Sequence, residues 1–167
     1  MLRFEEKLQV FPVLAPADIT TSATGSQYVD LKGAHWCTFM VNFGAITGDT
    51  TAINDTVGIT VEASTAASSN ATEAAIPFKY RLSRAVATYS QGAITAATSD
   101  GAQVAASNDN TTLFVEVNPD ALPVNPGADF RFVRLVITPG SATTSLVVGA
   151  QVALEPRYPG NAIPSAT

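Results

Sequence analysis

The chain has 167 residues, 46% of them hydrophobic and only 14% charged, with a formal net charge of −5. A length of this order suits one domain whose apolar core forms without a metal or disulfide staple, and a single cysteine, Cys37, excludes an intramolecular disulfide. The acidic balance argues against a sequence-independent nucleic-acid binder, which needs a basic patch to displace counterions.

The first residues, Met1-Leu2-Arg3-Phe4-Glu5-Glu6-Lys7, lack the basic start and unbroken apolar run of a secretory signal. No stretch approaches the ~20 apolar residues that cross a bilayer. The expectation is a soluble protein made in the cytoplasm. Residues 2–10 could form a short helix, but Phe11-Pro12-Val13-Leu14-Ala15-Pro16 then forces an extended path. Residues 1–16 therefore read as an N-terminal arm.

From there on, period-2 alternation is the main signal. Residues 36–43 are apolar on both faces, which marks a central strand or one whose second face meets another subunit. Cys37 lies inside this run and reads as a small buried hydrophobe. Trp36 also lies within it, which argues for a buried role. In 57–63, Val57, Ile59 and Val61 oppose Thr60 and Glu62. Residues 64–75 are rich in small side chains and read as loop or weak edge strand. In 76–82, Ile76, Phe78, Tyr80 and Leu82 oppose Lys79 and Arg81. Residues 85–106 again read as loop or weak edge.

Leu113, Val115 and Val117 then face inward if Glu116 faces water. Residues 130–137 form a second run apolar on both faces. Arg131 and Arg134 differ in parity there, so one of them is expected to reach a polar partner at an edge or interface. The last strand sets Leu146, Val148, Ala150, Val152 and Leu154 against Gln151 and Glu155. Residues 156–167 contain three prolines and no alternation, the pattern of an extended tail. These elements predict an all-β, antiparallel β-sandwich of about eight strands, jelly-roll-like, with an immunoglobulin-like arrangement as the alternative. One domain spans 1–167, with the sandwich at 17–155.

Chemistry is sparse. General acid–base work needs a group that titrates near neutral pH, and His35 is the only histidine. No Gly-x-Ser-x-Gly elbow supplies a nucleophile, and one His with one Cys does not make a zinc site. Asp49, Asp55, Asp100 and Asp109 sit beside turn formers, where turn chemistry accounts for them. Calcium at one of these loops is the weaker reading, since none has EF-hand spacing. The sequons at Asn54, Asn70 and Asn110 are what chance yields in so Thr-rich a chain. Gly44-Ala-Ile-Thr-Gly48 lacks the lysine of a phosphate loop. No catalytic, cofactor-binding or metal-binding residue is expected, and the chain does not read as an enzyme.

Certain strings carry a resemblance. They are Leu14-Ala-Pro-Ala-Asp18, Tyr28-Val-Asp-Leu-Lys32, Phe43-Gly-Ala-Ile-Thr-Gly-Asp49, Ile76-Pro-Phe-Lys-Tyr-Arg-Leu82, Phe132-Val-Arg-Leu-Val136 and Leu154-Glu-Pro-Arg-Tyr-Pro159. In this order, over nearly the whole chain, the sequence resembles small proteins encoded among the head genes of tailed bacteriophages. The resemblance implies a capsid decoration or cement protein: a β-sandwich that binds the major capsid protein on the outer surface of the virion as a homo-trimer. It implies no nucleic-acid, membrane or small-molecule partner. Phe4, Phe11, Arg157 and Tyr158, on the two terminal arms, are the expected contact residues. Two other readings remain open: a carbohydrate- or receptor-binding module in which Trp36 is exposed, and another virion part such as a tail-tube or head-completion subunit.

Overall fold

The computed structural model describes residues 7–20, 22–48, 56–68, 71–83, 91–108, 110–126, 128–141 and 143–157. In chain order the strands are β1 (Gln9–Asp18), β2 (Thr24–Gly25), β3 (Val29–Asp30), β4 (Ala34–Gly48), β5 (Thr56–Ser64), β6 (Glu73–Ile76) and β7 (Phe78–Leu82). There follow β8 (Thr95–Ala97), β9 (Ala102–Ala105), β10 (Thr112–Val117), β11 (Val124–Asn125), β12 (Ala128–Asp129), β13 (Phe132–Thr138) and β14 (Thr143–Pro156). One sheet has the order β1-β14-β4-β10-β7-β8; the other centres on β13 and β5, flanked by β2, β3, β6 and β9. Every ladder is antiparallel. The architecture is the all-β sandwich that the alternation predicts. Among the described residues, seven strands of five residues or more are filled out by shorter pieces.

The core lies between the sheets. Cys37, Phe39, Val41, Leu113, Val115, Val152 and Leu154 come from the first sheet, and Val57, Ile59, Val61, Val133, Leu135 and Ile137 from the second; all are essentially fully buried. Each such side chain contributes about 1.5–3 kcal/mol of burial. Both doubly apolar runs are central strands: β4 lies between β14 and β10, and β13 between β5 and the β2–β3 edge.

One boundary moves. Residues 9–16, read as an arm, form most of β1, because Phe11 and Val13 meet the core and Gln9–Asp18 ladders along β14. Pro12 and Pro16 had argued only for an extended path. On a sheet edge that is compatible with pairing on one side, and the prolines deprive the free side of donors. Residues 2–6 of the candidate helix lie outside the described residues.

Cys37 is fully buried, and burial pushes its thiol well above the usual range. An aromatic disulfide reagent should therefore leave the native protein unlabelled and label Cys37 once denaturant unfolds it. Rapid stoichiometric labelling of the native chain would contradict this packing.

Candidate functional site

The inner faces of both sheets are consumed by the core, so function must use the outer faces, the edges or the ends. The outer face of the second sheet carries a polar network at its centre, between the half-buried Phe132 and Val136. Arg134 on β13 donates through Nε to Glu62 (2.9 Å) and through Nη2 to Glu73 (2.9 Å). Its guanidinium lies 4.8 Å from the centroid of the Tyr28 ring, and the Tyr28 hydroxyl donates to Glu73. Burial, with that hydrogen bond to a carboxylate, pushes the Tyr28 phenol up to about 12. These groups satisfy one another.

The first sheet differs. Register places Val10, Ala153, Thr38, Glu116, Lys79 and Ala96 in one row across its outer face. Pro12, Gln151, Met40, Phe114 and Arg81 make the next row. Met40, Phe114 and Ala153 are half-buried and Val10 is exposed. Arg81 covers part of Phe114, its guanidinium carbon 5.4 Å from the ring centroid. An antiparallel sheet that faces water usually alternates to polar on that side; this one keeps an apolar centre.

At one end of the sandwich, the short 3-10 turn Pro119–Ala121 separates two concavities. Asn118 caps the turn, its Oδ1 accepting from the Asp120 amide at 3.0 Å. One concavity, about 340 Å³, is lined by Leu31, Lys32, Leu122, Phe130, Arg131 and Arg157. Its cations are largely committed. Arg131 donates through Nε to Asp30 at 2.7 Å and pairs with it again through Nη2. The Lys32 amide adds a third donor to Asp30, at 2.8 Å. Burial alone would raise the Asp30 carboxyl, but these donors outweigh it and hold the group below the usual carboxylate range. Both Arg131 and Arg134 thus have carboxylate partners, where parity had suggested one.

The second concavity, about 300 Å³, has Trp36, Phe78, Lys79, Ala96, Glu116 and Asn118 in its lining. Trp36 is not in the core. It is half-buried on the outer face, because it shares parity with Thr38 and Met40 while Cys37, Phe39 and Val41 point inward. That parity was readable in the sequence, but an apolar run on both faces hides which face is the inner one.

Of the expected contact residues, Phe11 is half-buried, packs against the core and pairs with Val152. Arg157 ties the end of β14 down: its amide donates to Gly33 O (2.8 Å), its Nε to Ala34 O (3.1 Å), and its Nη2 pairs with Asp120. Phe4 and Tyr158 lie outside the described residues.

His35 is exposed at the start of β4. Among the described residues, no three His, Cys, Asp or Glu side chains gather as a metal site, and no helix is long and apolar enough to cross a membrane. Asp100 accepts from Thr98 Oγ1 (3.4 Å) within its own turn. Asp49, Asp55 and Asp109, with Asn54 and Asn70, lie outside the described residues, and Asn110 takes a left-handed backbone (φ 53°) that asparagine tolerates. Comparison with family models, with curated proteins and with solved structures finds no match for this chain.

Proposed function

We propose that the protein is a structural virion subunit, a decoration protein that docks on the outer surface of a tailed-phage head and stabilises it as a trimer. The observation that carries this reading is the outer face of the first sheet, with Met40 and Phe114 at its centre and Val10 and Ala153 beside them. A protein–protein contact has an apolar centre and a polar rim, and Thr38, Gln151, Lys79, Glu116 and Asn42 supply such a rim. Edge-to-edge assembly is disfavoured, which leaves faces and loops for contact. Pro12 and Pro16 interrupt the donors of β1, β8 has three residues, and Pro77 follows β6 directly. Val124, 93% exposed on the β11–β12 hairpin, adds a second apolar contact point. The low charge and the resemblance to phage head proteins support the same reading. Repetition over a symmetric shell would sum weak contacts into firm attachment.

Co-sedimentation of the purified chain with undecorated heads of its own phage tests this, with electron microscopy of the mixture. Trimers on the shell surface are expected. The double variant Met40→Lys, Phe114→Lys should reduce attachment about 100-fold or more through lattice multivalency, with little change in thermal stability, because both side chains lie outside the core. A chain that stays monomeric and never attaches, or a double variant that attaches like wild type, would end the reading.

A further inference from the structure

We propose that the cavity at Trp36 is a saccharide-binding site that takes a neutral pyranose ring, stacked on the indole and held through its hydroxyls. This does not depend on the shell-docking reading, although Lys79 and Glu116 border both surfaces. Its volume, about 300 Å³, is at the small end for ligand pockets. Its apolar side is the half-buried indole of Trp36 with Pro77, Ala96 and Ala121 around it, while Phe78 and Ala97, which also border it, turn their side chains into the core.

The polar groups select the ligand. Lys79 and Glu116 are cross-strand partners, yet neither side chain makes an ion pair or hydrogen bond among the described residues. The indole N–H of Trp36 is likewise without a partner there, and Asn118 uses its Oδ1 on the Asp120 amide while its Nδ2 remains a donor. Three donors and one carboxylate acceptor thus border one aromatic face.

An anion would leave Glu116 facing like charge, and a cation would do the same to Lys79. An apolar ligand would cover four polar groups without pairing them, each at a cost of the order of a lost hydrogen bond. A ring that is apolar on one face and carries closely spaced hydroxyls, each both donor and acceptor, satisfies all four. An extended peptide fits less well, since the adjoining edge strand β8 offers only three residues for backbone pairing.

Trp36 is the single tryptophan, so indole emission reports this site alone. The full chain is screened on an array of neutral glycans, and hits are titrated by tryptophan fluorescence. At least one neutral oligosaccharide should bind and change the emission saturably, with a dissociation constant near ~1 mM or below. Trp36→Ala should abolish binding on the array. As controls for folding, Glu116→Gln and Asn118→Asp keep both fold and probe, the latter because the aspartate retains the capping oxygen and loses only the Nδ2 donor. Each should weaken binding about tenfold at unchanged melting temperature. No glycan bound and no saturable emission change would overturn the proposal. So would a proline-rich peptide that alone shifts the emission, or wild-type affinity in both polar variants.

Discussion

Gly101→Ala is expected to lower the unfolding free energy by about 3 kcal/mol. Gly101 closes the turn that carries the chain from β8 in the first sheet to β9 in the second, its amide donating to Thr98 O at 3.0 Å. Its φ is +91°, a region that side chains with a Cβ rarely enter. Space is the larger problem. An added Cβ would lie 2.3 Å from the backbone oxygen of Ile59 and 2.7 Å from Thr60 Cγ2. Ile59 belongs to β5, whose ladder with β9 begins next door at Ala102, so relief requires the two strands to part.

Gly33 provides the internal control. It too has positive φ (+81°), but a Cβ there meets nothing within 4 Å. Gly33→Ala should cost only the backbone penalty, about 1 kcal/mol. In a domain of this size the Gly101 variant should melt roughly 6–12 °C lower and the Gly33 variant a few degrees lower. Calorimetry on the two side by side decides the matter, and equal losses would show that the clash with Ile59 is not what constrains the turn.

Asp30→Asn is expected to cost about 2 kcal/mol near neutral pH and to flatten the acid limb of the stability curve. Asp30 is almost buried and receives two donors from Arg131 and one from the Lys32 amide. Asparagine retains an acceptor for the Lys32 amide, so the loss is mainly that of the ion pair. Arg131, partly exposed, recovers some of it from water.

The sign follows from the direction of the shift. Folding holds the Asp30 carboxyl below its ordinary value, so the unfolded chain binds the proton more tightly. The stabilisation is complete above the unfolded value of about 4 and disappears as pH falls through the lower folded one. Urea unfolding of wild type and variant at neutral pH and again near pH 3 should show the difference between them shrinking in acid. A constant difference would mean that Asp30 contributes no linked proton.

The long strands were legible because alternation is a local property. Parity in 57–63, 78–82, 113–117 and 146–154 names the inward residues, which form the core or pack against it, whereas 76–82, read as one strand, divides at Pro77 between β6 of one sheet and β7 of the other. The misreading of residues 9–16 has an equally local origin. Two prolines report only an extended backbone, and whether such a segment is a free arm or a paired edge depends on a partner that lies far along the chain, here β14. The candidate site was harder to see. Trp36 belongs to a run apolar on both faces, so nothing nearby distinguishes core from surface. The groups that surround it come from β7, β8, β10 and the Asn118 turn.

By itself the order of residues settled the fold class, the inner face of most strands and the scarcity of titratable groups near neutral pH, since each depends on composition or on a period of two. Tertiary structure alone decided which charges meet. Arg131 and Asp30 stand 101 positions apart, and Arg134 and Glu62 stand 72 apart. It also decided that Met40, Phe114 and Trp36 face outward, because strand order and sheet stacking, not alternation, determine which of two apolar faces is covered.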